Sequence, residues 1–244
     1  MEYEVSHILA CDGINSSIRE QFFPFSGSAI YSGYQAWRGI GKVKQSDAKF
    51  HFGNGKHIVS YPTNNKGEVS FTAVVKNSLN THDSWRIKGS KKELLDDFAE
   101  FDEDIFSMLN SSDEIFKWGI YVRPVLSSIY IKNITLLGDA AHPMVPFLGQ
   151  GGCMALEDGY AFGKLVGAYS NDFSKIQAKY EKIRLKRKNM IQVSSKTQGK
   201  IYHLENPIVI FFRNFFLKYL PVVKLRMQKI WSYDLDKEIK KAIN

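Results

Sequence analysis

The chain has 244 residues and a formal net charge of +8, and 44% of its residues are hydrophobic, enough for a substantial buried core in one large or two small domains. A charged fraction of 24% excludes wholesale disorder, and two cysteines without zinc-site spacing exclude a disulfide framework. No apolar run reaches the roughly 18 residues of a membrane span, and no signal-peptide pattern opens the chain, so we expect a cytoplasmic protein.

The first predicted elements are a strand, a tight turn and a short helix. Residues 5–10 form an apolar run that ends in Cys11-Asp12-Gly13, and Ser17 and Glu20 follow at capping-box spacing. A parallel strand buried on both faces needs neighbouring strands, and no upstream segment of the sequence supplies them.

Residues 22–128 predict a sheet with covering helices. Residues 31–43 and 57–75 alternate like half-buried strands, and Asn64-Asn65-Lys66-Gly67 predicts a hairpin inside the second stretch. The pairs Gly39/Gly41 and Gly53/Gly55 are interpreted as turns. Ser90 and Glu93 form a capping box that opens one helix, whose apolar face is Leu94, Leu95, Phe98, Phe101, Ile105 and Leu109.

The next segment predicts a buried strand, a glycine-rich loop and a helix. The strand covers residues 133–138, the loop covers residues 146–152, and the helix covers about residues 153–166. Two more helical stretches follow, broken at Pro207 and Pro221.

Residues 136–158, LLGDAAHPMVPFLGQGGCMALED, carry the strongest chemical signal. A carboxylate at a strand end accepts hydrogen bonds from a polyol. The loop glycines let the backbone approach a flat ligand, and a helix N-terminus presents free N–H groups and partial positive charge. From the residues alone, this is a ligand loop at the carboxyl end of a strand.

The same segment resembles the second FAD-contacting motif, GD, of the flavin-dependent aromatic hydroxylases and related epoxidases. The resemblance implies that Asp139 bonds the ribityl chain of FAD and that residues 146–152 line the isoalloxazine, with the helix dipole near its N1–C2=O edge. It implies no catalytic side chain, because the flavin carries the chemistry. The predicted cofactor-binding residues are Asp12, Gly138, Asp139, Pro146, Gly149, Gln150, Gly151 and Gly152.

A second match, residues 10–19, resembles the family's DG motif, ADGxxSxxR. There the aspartate, here Asp12, lies near the FAD pyrophosphate, and the arginine, here Arg19, helps to hold the turn. Softer matches are YQAWRG at residues 34–39, which resembles the salicylate hydroxylase and zeaxanthin epoxidase branch, Arg123-Pro124, and the helix motif that begins at Tyr180-Glu181.

The resemblance implies an α/β fold: an FAD/NAD(P)-binding fold without its N-terminal Rossmann unit, because no GxGxxG loop is present. We expect the remainder of the FAD-binding domain in residues 1–21 and 129–200, an inserted α+β substrate domain in 22–128, and C-terminal helices in 201–244. The implied activity is NAD(P)H-dependent hydroxylation or epoxidation of a small aromatic or unsaturated substrate. We expect weak or no FAD binding by this chain alone unless a separate polypeptide supplies the N-terminal half. The alternative is a non-catalytic remnant, or an interaction or membrane-surface protein.

Several residues have a plain structural interpretation beside a functional one. His142 could act as a base, but a histidine held by its loop is favoured. Cys11 is interpreted as strand core and Cys153 as a small packed residue. Trp37 and Arg38 fit flavin or substrate contacts as well as a core tryptophan and a surface arginine. His51 and His57 could face a substrate pocket, although plain strand positions are favoured.

Two features near the C-terminus bear on partners. The basic run in residues 179–200 is interpreted as a solvated helix face, and no nucleic-acid-binding pattern accompanies it. A helical stripe follows, made of Ile208, Phe211, Phe212, Phe215, Phe216, Tyr219 and Leu220. Packing on its own domain or on a partner subunit is favoured over contact with a membrane.

Overall fold

The computed structural model describes residues 3–78, 87–170 and 172–244. They divide into two compact units. The first unit is formed by Met1–Ile30, Tyr121–Gln198 and Phe215–Asn244, and the second by Tyr31–Ile120 and Gly199–Asn214. Both units combine helices and strands, as the α/β prediction requires.

A three-stranded sheet organises the first unit, with the strand order β1-β8-β7. The strands are β1 (Ile8–Ala10), β7 (Tyr130–Ile131) and β8 (Ile134–Leu136). β1 runs parallel to β8, with Ala10 opposite Leu136, while β7 is antiparallel to β8. The predicted strands at residues 5–10 and 133–138 are therefore present and adjacent.

Helices cover the sheet of the first unit and form its core. They are α1 (Ser17–Phe22), α4 (Gly151–Tyr169), α5 (Phe173–Tyr202), α7 (Val222–Trp231) and α8 (Leu235–Ile243), and α5 continues into the second unit. Leu136, Phe162, Leu165, Ile176 and Tyr180 are among the side chains of one continuous apolar core. Burying side chains of this size contributes roughly 1.5–3 kcal/mol each.

The second unit is a five-stranded sheet in the order β3-β4-β5-β2-β6. Its strands are β2 (Ile30–Lys42), β3 (Lys49–Gly53), β4 (Lys56–Pro62), β5 (Glu68–Lys76) and β6 (Ile115–Val122). The predicted hairpin is confirmed, since Pro62 pairs with Val69 across the turn. The turn prediction for Gly39 and Gly41 is wrong, because both lie inside β2. A Cβ at Gly41 would stand 2.2 Å from the Met108 carbonyl oxygen, so this glycine permits close approach of a helix.

Two helices cover one face of this sheet, where a single helix was predicted. They are α2 (Lys91–Asp97), which Ser90 caps, and α3 (Glu103–Asn110). Trp37, Phe71, Leu94, Phe98 and Met108 are among the fully buried residues of the core between sheet and helices.

The remaining helix, α6 (Pro207–Tyr219), starts at a proline, and Pro221 is the N-cap of α7. The predicted breaks at both prolines are therefore confirmed, and each proline stands at the start of a helix. Among the described residues, no helix has both the length and the mean hydropathy that crossing a bilayer requires.

Candidate cofactor site

The two acidic motifs lie together at the carboxyl ends of adjacent parallel strands. The Leu137 amide donates to the Ala10 carbonyl at 3.0 Å, so β1 and β8 end side by side. Asp12 follows β1 and Asp139 follows β8, and both side chains are exposed. Asp12 accepts a hydrogen bond from the Ile18 amide at 3.3 Å, which helps to hold the start of α1.

The chain leaves β8 through a tight turn that turns Asp139 outward. Gly138 has φ +56°, and a 3-10 turn spans Gly138–Ala140. A side chain at Gly138 would be strained in that conformation, and its Cβ would lie 3.4 Å from that of Ala155. Partial desolvation raises the pKa of Asp139, and the nearby His142 opposes this by lowering it. The carboxylate is thus an outward-facing acceptor.

The glycine loop, residues 146–152, delivers the chain to the start of α4. A 3-10 turn spans Pro146–Leu148, and Gly149 follows with φ +64°. Gln150 is the N-cap of α4 and makes no side-chain capping bond within the described chain. Beside Gly149, Gly151 and Gly152, a Cβ would meet no described atom within 4 Å. The first turn of α4 therefore presents bare backbone to open space, which fits the edge of a flat, electron-rich ring.

A buried carboxylate, Asp158, fixes this loop from behind. Asp158 Oδ2 accepts from the Gly138 amide at 2.9 Å and lies 2.6 Å from His142 Nε2, while Oδ1 accepts from Arg184 Nε at 2.7 Å. Burial alone would raise the pKa of Asp158, but His142, Arg184 and the Gly138 N–H together bring it below its ordinary value. His142 is fully buried in this network, so the structural interpretation of that histidine is confirmed.

Glu157 extends the network to two arginines of α5. It accepts from Arg184 at 2.5 Å and from Arg187 at 3.0 Å, and the Arg187 guanidinium lies 4.2 Å from the Tyr233 ring centre. Arg184, Arg187 and Lys188 are buried, so the interpretation of the whole basic run as a solvated face is wrong. Burial lowers the pKa of Lys188 to about 8.

Arg19 ties the DG turn to the GD turn. Its guanidinium is fully buried and donates to the carbonyls of Ala140 (3.0 Å), Ala141 (3.3 Å), Ser26 (3.2 Å) and Pro124 (3.0 Å). Burial, and then the charge of Arg123, lower the pKa of Arg19 to about 10. One side chain thus holds three separate loops by their backbone.

Both cysteine interpretations are wrong, because Cys11 and Cys153 are exposed. Cys11 lies just beyond the last residue of β1, and Cys153 lies in the first turn of α4. Both cysteines therefore lie at the protein surface, one beside Asp12 and the other beside the glycine loop.

The second unit carries an open cleft of about 990 Å³ on its sheet. Arg38, Lys42, Tyr61, Glu68, Phe116 and Trp118 are among the residues that line it. Trp37 points to the opposite face, where it is fully buried and donates to Asp97 at 2.8 Å. Of the pair left open by the sequence, Trp37 is therefore a core residue and Arg38 is exposed.

Sequence reasoning assigned no role to Asp158 or Arg184, although both stand in the matched motifs. No local sequence pattern indicates that Asp158 is buried in α4, because its hydrogen-bond partners come from the segment after β8 and from α5. His57 was interpreted as a plain strand position, but it is buried with its Nδ1 2.7 Å from Nε2 of His203. No spacing in the sequence indicates a contact between residues so far apart.

Comparison with known proteins places these motifs in context. The sequence model of the FAD binding domain family matches residues 2–191. A 3-amino-4-hydroxybenzoate 2-monooxygenase of Streptomyces platensis is 29% identical over 206 residues, which cover 82% of this chain and 52% of that protein. The chloroplastic zeaxanthin epoxidase of Prunus armeniaca is 33% identical over 165 residues, 65% of this chain and 24% of that protein.

A solved salicylate hydroxylase–substrate complex has the same fold, with a TM-score of 0.86 and 24% identity over 98% of this chain and 64% of that one. The chain spans about half the length of the curated aromatic-ring monooxygenases that it matches.

Proposed function

We propose a function on one premise: this chain belongs to the FAD binding domain family, whose sequence model covers residues 2–191. Its relatives are FAD-binding monooxygenases, among them aromatic-ring hydroxylases and an epoxidase. We infer that the chain holds the flavin end of FAD in an NAD(P)H-dependent monooxygenase. The observation that carries this proposal is the bare backbone of the glycine loop beside the outward-facing Asp139.

Bound FAD would supply the redox chemistry, which takes electrons from NAD(P)H and passes one oxygen atom of dioxygen to the substrate. The chain's own residues hold the flavin end of the cofactor and polarise its ring. Asp139 accepts hydrogen bonds from hydroxyls of the ribityl chain. The amides at the start of α4 donate toward the ring, where the partial positive charge of a helix N-terminus stabilises the negative charge of reduced flavin.

The buried residues behind the loop keep those groups in place without a ligand. Asp158 fixes Gly138 and His142, and Arg19 fixes the carbonyls of Ala140 and Ala141. Preorganised donors cost no rearrangement when charge develops on the ring. We therefore assign Asp158 and Arg19 to positioning and Asp139 to contact.

The 244 residues contain no GxGxxG loop, so the ADP half of FAD needs a binding element that they do not provide. We propose that a polypeptide segment bearing such a loop, in a longer or a separate chain, supplies it. β1 offers a place for that segment, since it is the edge strand of its sheet and its Leu9 side chain is 45% exposed. An exposed apolar edge strand is a template for pairing.

The proposed reaction is hydroxylation or epoxidation of a small aromatic or unsaturated compound. The names of the two relatives, a monooxygenase of an aminohydroxybenzoate and an epoxidase, support this class. The cleft of the second unit, with its aromatic and charged lining, offers a surface for such a compound. A non-catalytic role fits the glycine loop less well, because the residues that fix the loop are intact.

The test is flavin binding by the full chain, measured by the quenching of flavin fluorescence. We expect FMN and FAD to bind with similar, weak affinity, because only the flavin end finds its contacts. Gly151→Ala fills the open space beside the loop and should lower that affinity at least tenfold. Gly159→Ala, at an equally open position further along α4, is the matched control.

Asp139→Asn should also weaken binding, whereas Asp96→Asn at an exposed site on α2 should not. Adding a polypeptide with the GxGxxG loop should strengthen binding of FAD far more than binding of FMN. Equal flavin affinity in the Gly151 and Gly159 variants would remove the proposal that α4 holds the ring. Tight binding of FAD but not FMN by the chain alone would contradict the missing ADP site.

A further inference from the structure

The helix α6 has one polar anchor, Arg213, and exposes large apolar side chains along its length. Toward the second unit, the Arg213 guanidinium lies 4.9 Å from the Phe52 ring centre and donates to the Ile201 carbonyl at 3.3 Å. Asn206 caps the helix by accepting from the Ile208 and Val209 amides. These contacts hold residues 206–213, which belong to the second unit.

The side opposite Arg213 carries four large apolar side chains in helical register, which we call the outer stripe: Ile208, Phe211, Phe215 and Tyr219. Their exposed fractions are 67%, 65%, 47% and 61%. The rings of Phe215 and Tyr219 pack against each other at 4.9 Å, so part of the outer stripe is ordered without a partner molecule. These exposed fractions are contrary to packing of the stripe on its own domain, whereas packing on a partner subunit, which was favoured beside it, stays a prediction.

The charge of the surrounding segment has one sign. Residues 206–233 contain five lysines and arginines and no aspartate or glutamate. Lys218, at the flank of the outer stripe, and Lys224 and Lys229 of α7 are exposed. Basic residues beside an exposed aromatic helix face are the pattern of helices that lie in the plane of a bilayer surface.

We propose that the outer stripe docks this protein on an anionic lipid surface, with α6 lying parallel to the membrane. A second copy of the chain fits less well, because a two-fold contact would bring two basic segments together. The interior of a protein interface is also depleted of charge, whereas Lys218 flanks the stripe and would meet lipid headgroups. This inference is independent of the flavin proposal.

The test is co-sedimentation of the full chain with phosphatidylcholine vesicles that contain or lack phosphatidylglycerol. We expect binding to the anionic vesicles only, weakened by salt. Phe211→Ser with Phe215→Ser should lower the apparent affinity at least about tenfold. Phe25→Ser is the matched control, since Phe25 is fully exposed outside α6. Both changes are at exposed positions and should leave the unfolding midpoint unchanged.

Charge has its own matched pair of variants. Neutralising Lys218, Lys224 and Lys229 to Gln should lower vesicle affinity at least tenfold, while the same change at the exposed Lys44, Lys49 and Lys66 should not. Absence of vesicle binding, or equal loss in the Phe25 and outer-stripe variants, would overturn the proposal. A wild-type dimer in light scattering that the outer-stripe variant dissociates would overturn it too, and would assign the stripe to a second copy. Retention on an acidic protein without vesicle binding would also overturn it.

Discussion

The buried pair His57–His203 should make the protein sensitive to mild acid. The two imidazoles lie 2.7 Å apart, and both side chains are 3% exposed. Burial, and then the proximity of His203, lower the pKa of His57 to about 3. Burial and the charge of Lys76 lower the pKa of His203 to about 4, although Glu205 and the backbone near Gly199 act in the opposite direction. Both rings are therefore neutral in the folded protein near neutral pH.

The sign of the effect follows from these directions. In the unfolded chain, both histidines take up a proton as the pH falls below their ordinary pKa of 6.5. In the folded chain, the same two imidazoles take up a proton only near pH 3–4. Stability is thus complete above pH 6.5 and is lost as the pH falls below it. At pH 5.5 the protonated form of a histidine in the unfolded chain exceeds the neutral form about tenfold. This lowers the free energy of unfolding by about 1.4 kcal/mol for each ring and by about 3 kcal/mol for the pair.

The assay is urea unfolding of the wild-type chain and of His203→Gln at pH 7.5 and pH 5.5. The wild type should lose more stability across this interval than the variant does, by about 1.4 kcal/mol, because the variant lacks one of the two buried imidazoles. Comparing the two pH dependences cancels the contributions of the carboxylates and of the other histidines. Nuclear magnetic resonance titration of the wild type supplies a second measurement if the variant does not fold.

The resonances of His57 and His203 should then show no titration between pH 8 and pH 5. An identical pH dependence in wild type and variant, with His57 and His203 both titrating near the ordinary histidine value, would refute the reasoning. That outcome would mean that water reaches the pair in solution and that neither ring is held neutral.

Three further predictions concern the first unit and use urea unfolding with the far-ultraviolet circular dichroism signal. Asp158→Asn should destabilise by roughly 3–5 kcal/mol, because it leaves the buried Arg184 guanidinium without the more buried of its two carboxylate partners; a cost no larger than that of Glu157→Gln, at a partly exposed carboxylate, would contradict this. Gly149→Ala should cost about 1–2 kcal/mol for its left-handed backbone, whereas Gly159→Ala should be stabilising by up to about 1 kcal/mol; equal effects would be contrary to the observed φ. Arg19→Lys should cost more than 1 kcal/mol, because an ammonium cannot reach four carbonyls; an unchanged midpoint would show that those bonds carry little stability.

The sequence predicts the features that depend on neighbours along the chain. The hairpin at residues 64–67, the cap at Ser90 and the helix breaks at Pro207 and Pro221 all follow from local backbone chemistry. The order of strand, acidic turn, glycine loop and helix is also a local feature, and it predicts a ligand loop at the carboxyl end of this strand.

The failures concern contacts that join distant segments. Arg19 is an exception that the family resemblance predicted, since it does help to hold the turn, but its burial among three loops has no local signal. Gly39 and Gly41 lie inside a strand, where the absence of a side chain leaves room for a phenylalanine ring at Gly39 and for the backbone of a helix at Gly41. None of these partners can be identified from spacing.

Asp139 and Asp158 show how one residue type serves opposite purposes at the same loop. Asp139 follows a glycine with positive φ, which turns its carboxylate outward, where few protein donors compete for its lone pairs. Asp158 lies on the inner side of α4, where a histidine, an arginine and the amide of that same Gly138 saturate its oxygens. A ligand can bond only the first, and the geometry of that bond depends on the second. Asp158→Asn should therefore weaken flavin binding through Asp139, so combining it with Asp139→Asn should cost less than the sum of the two single changes.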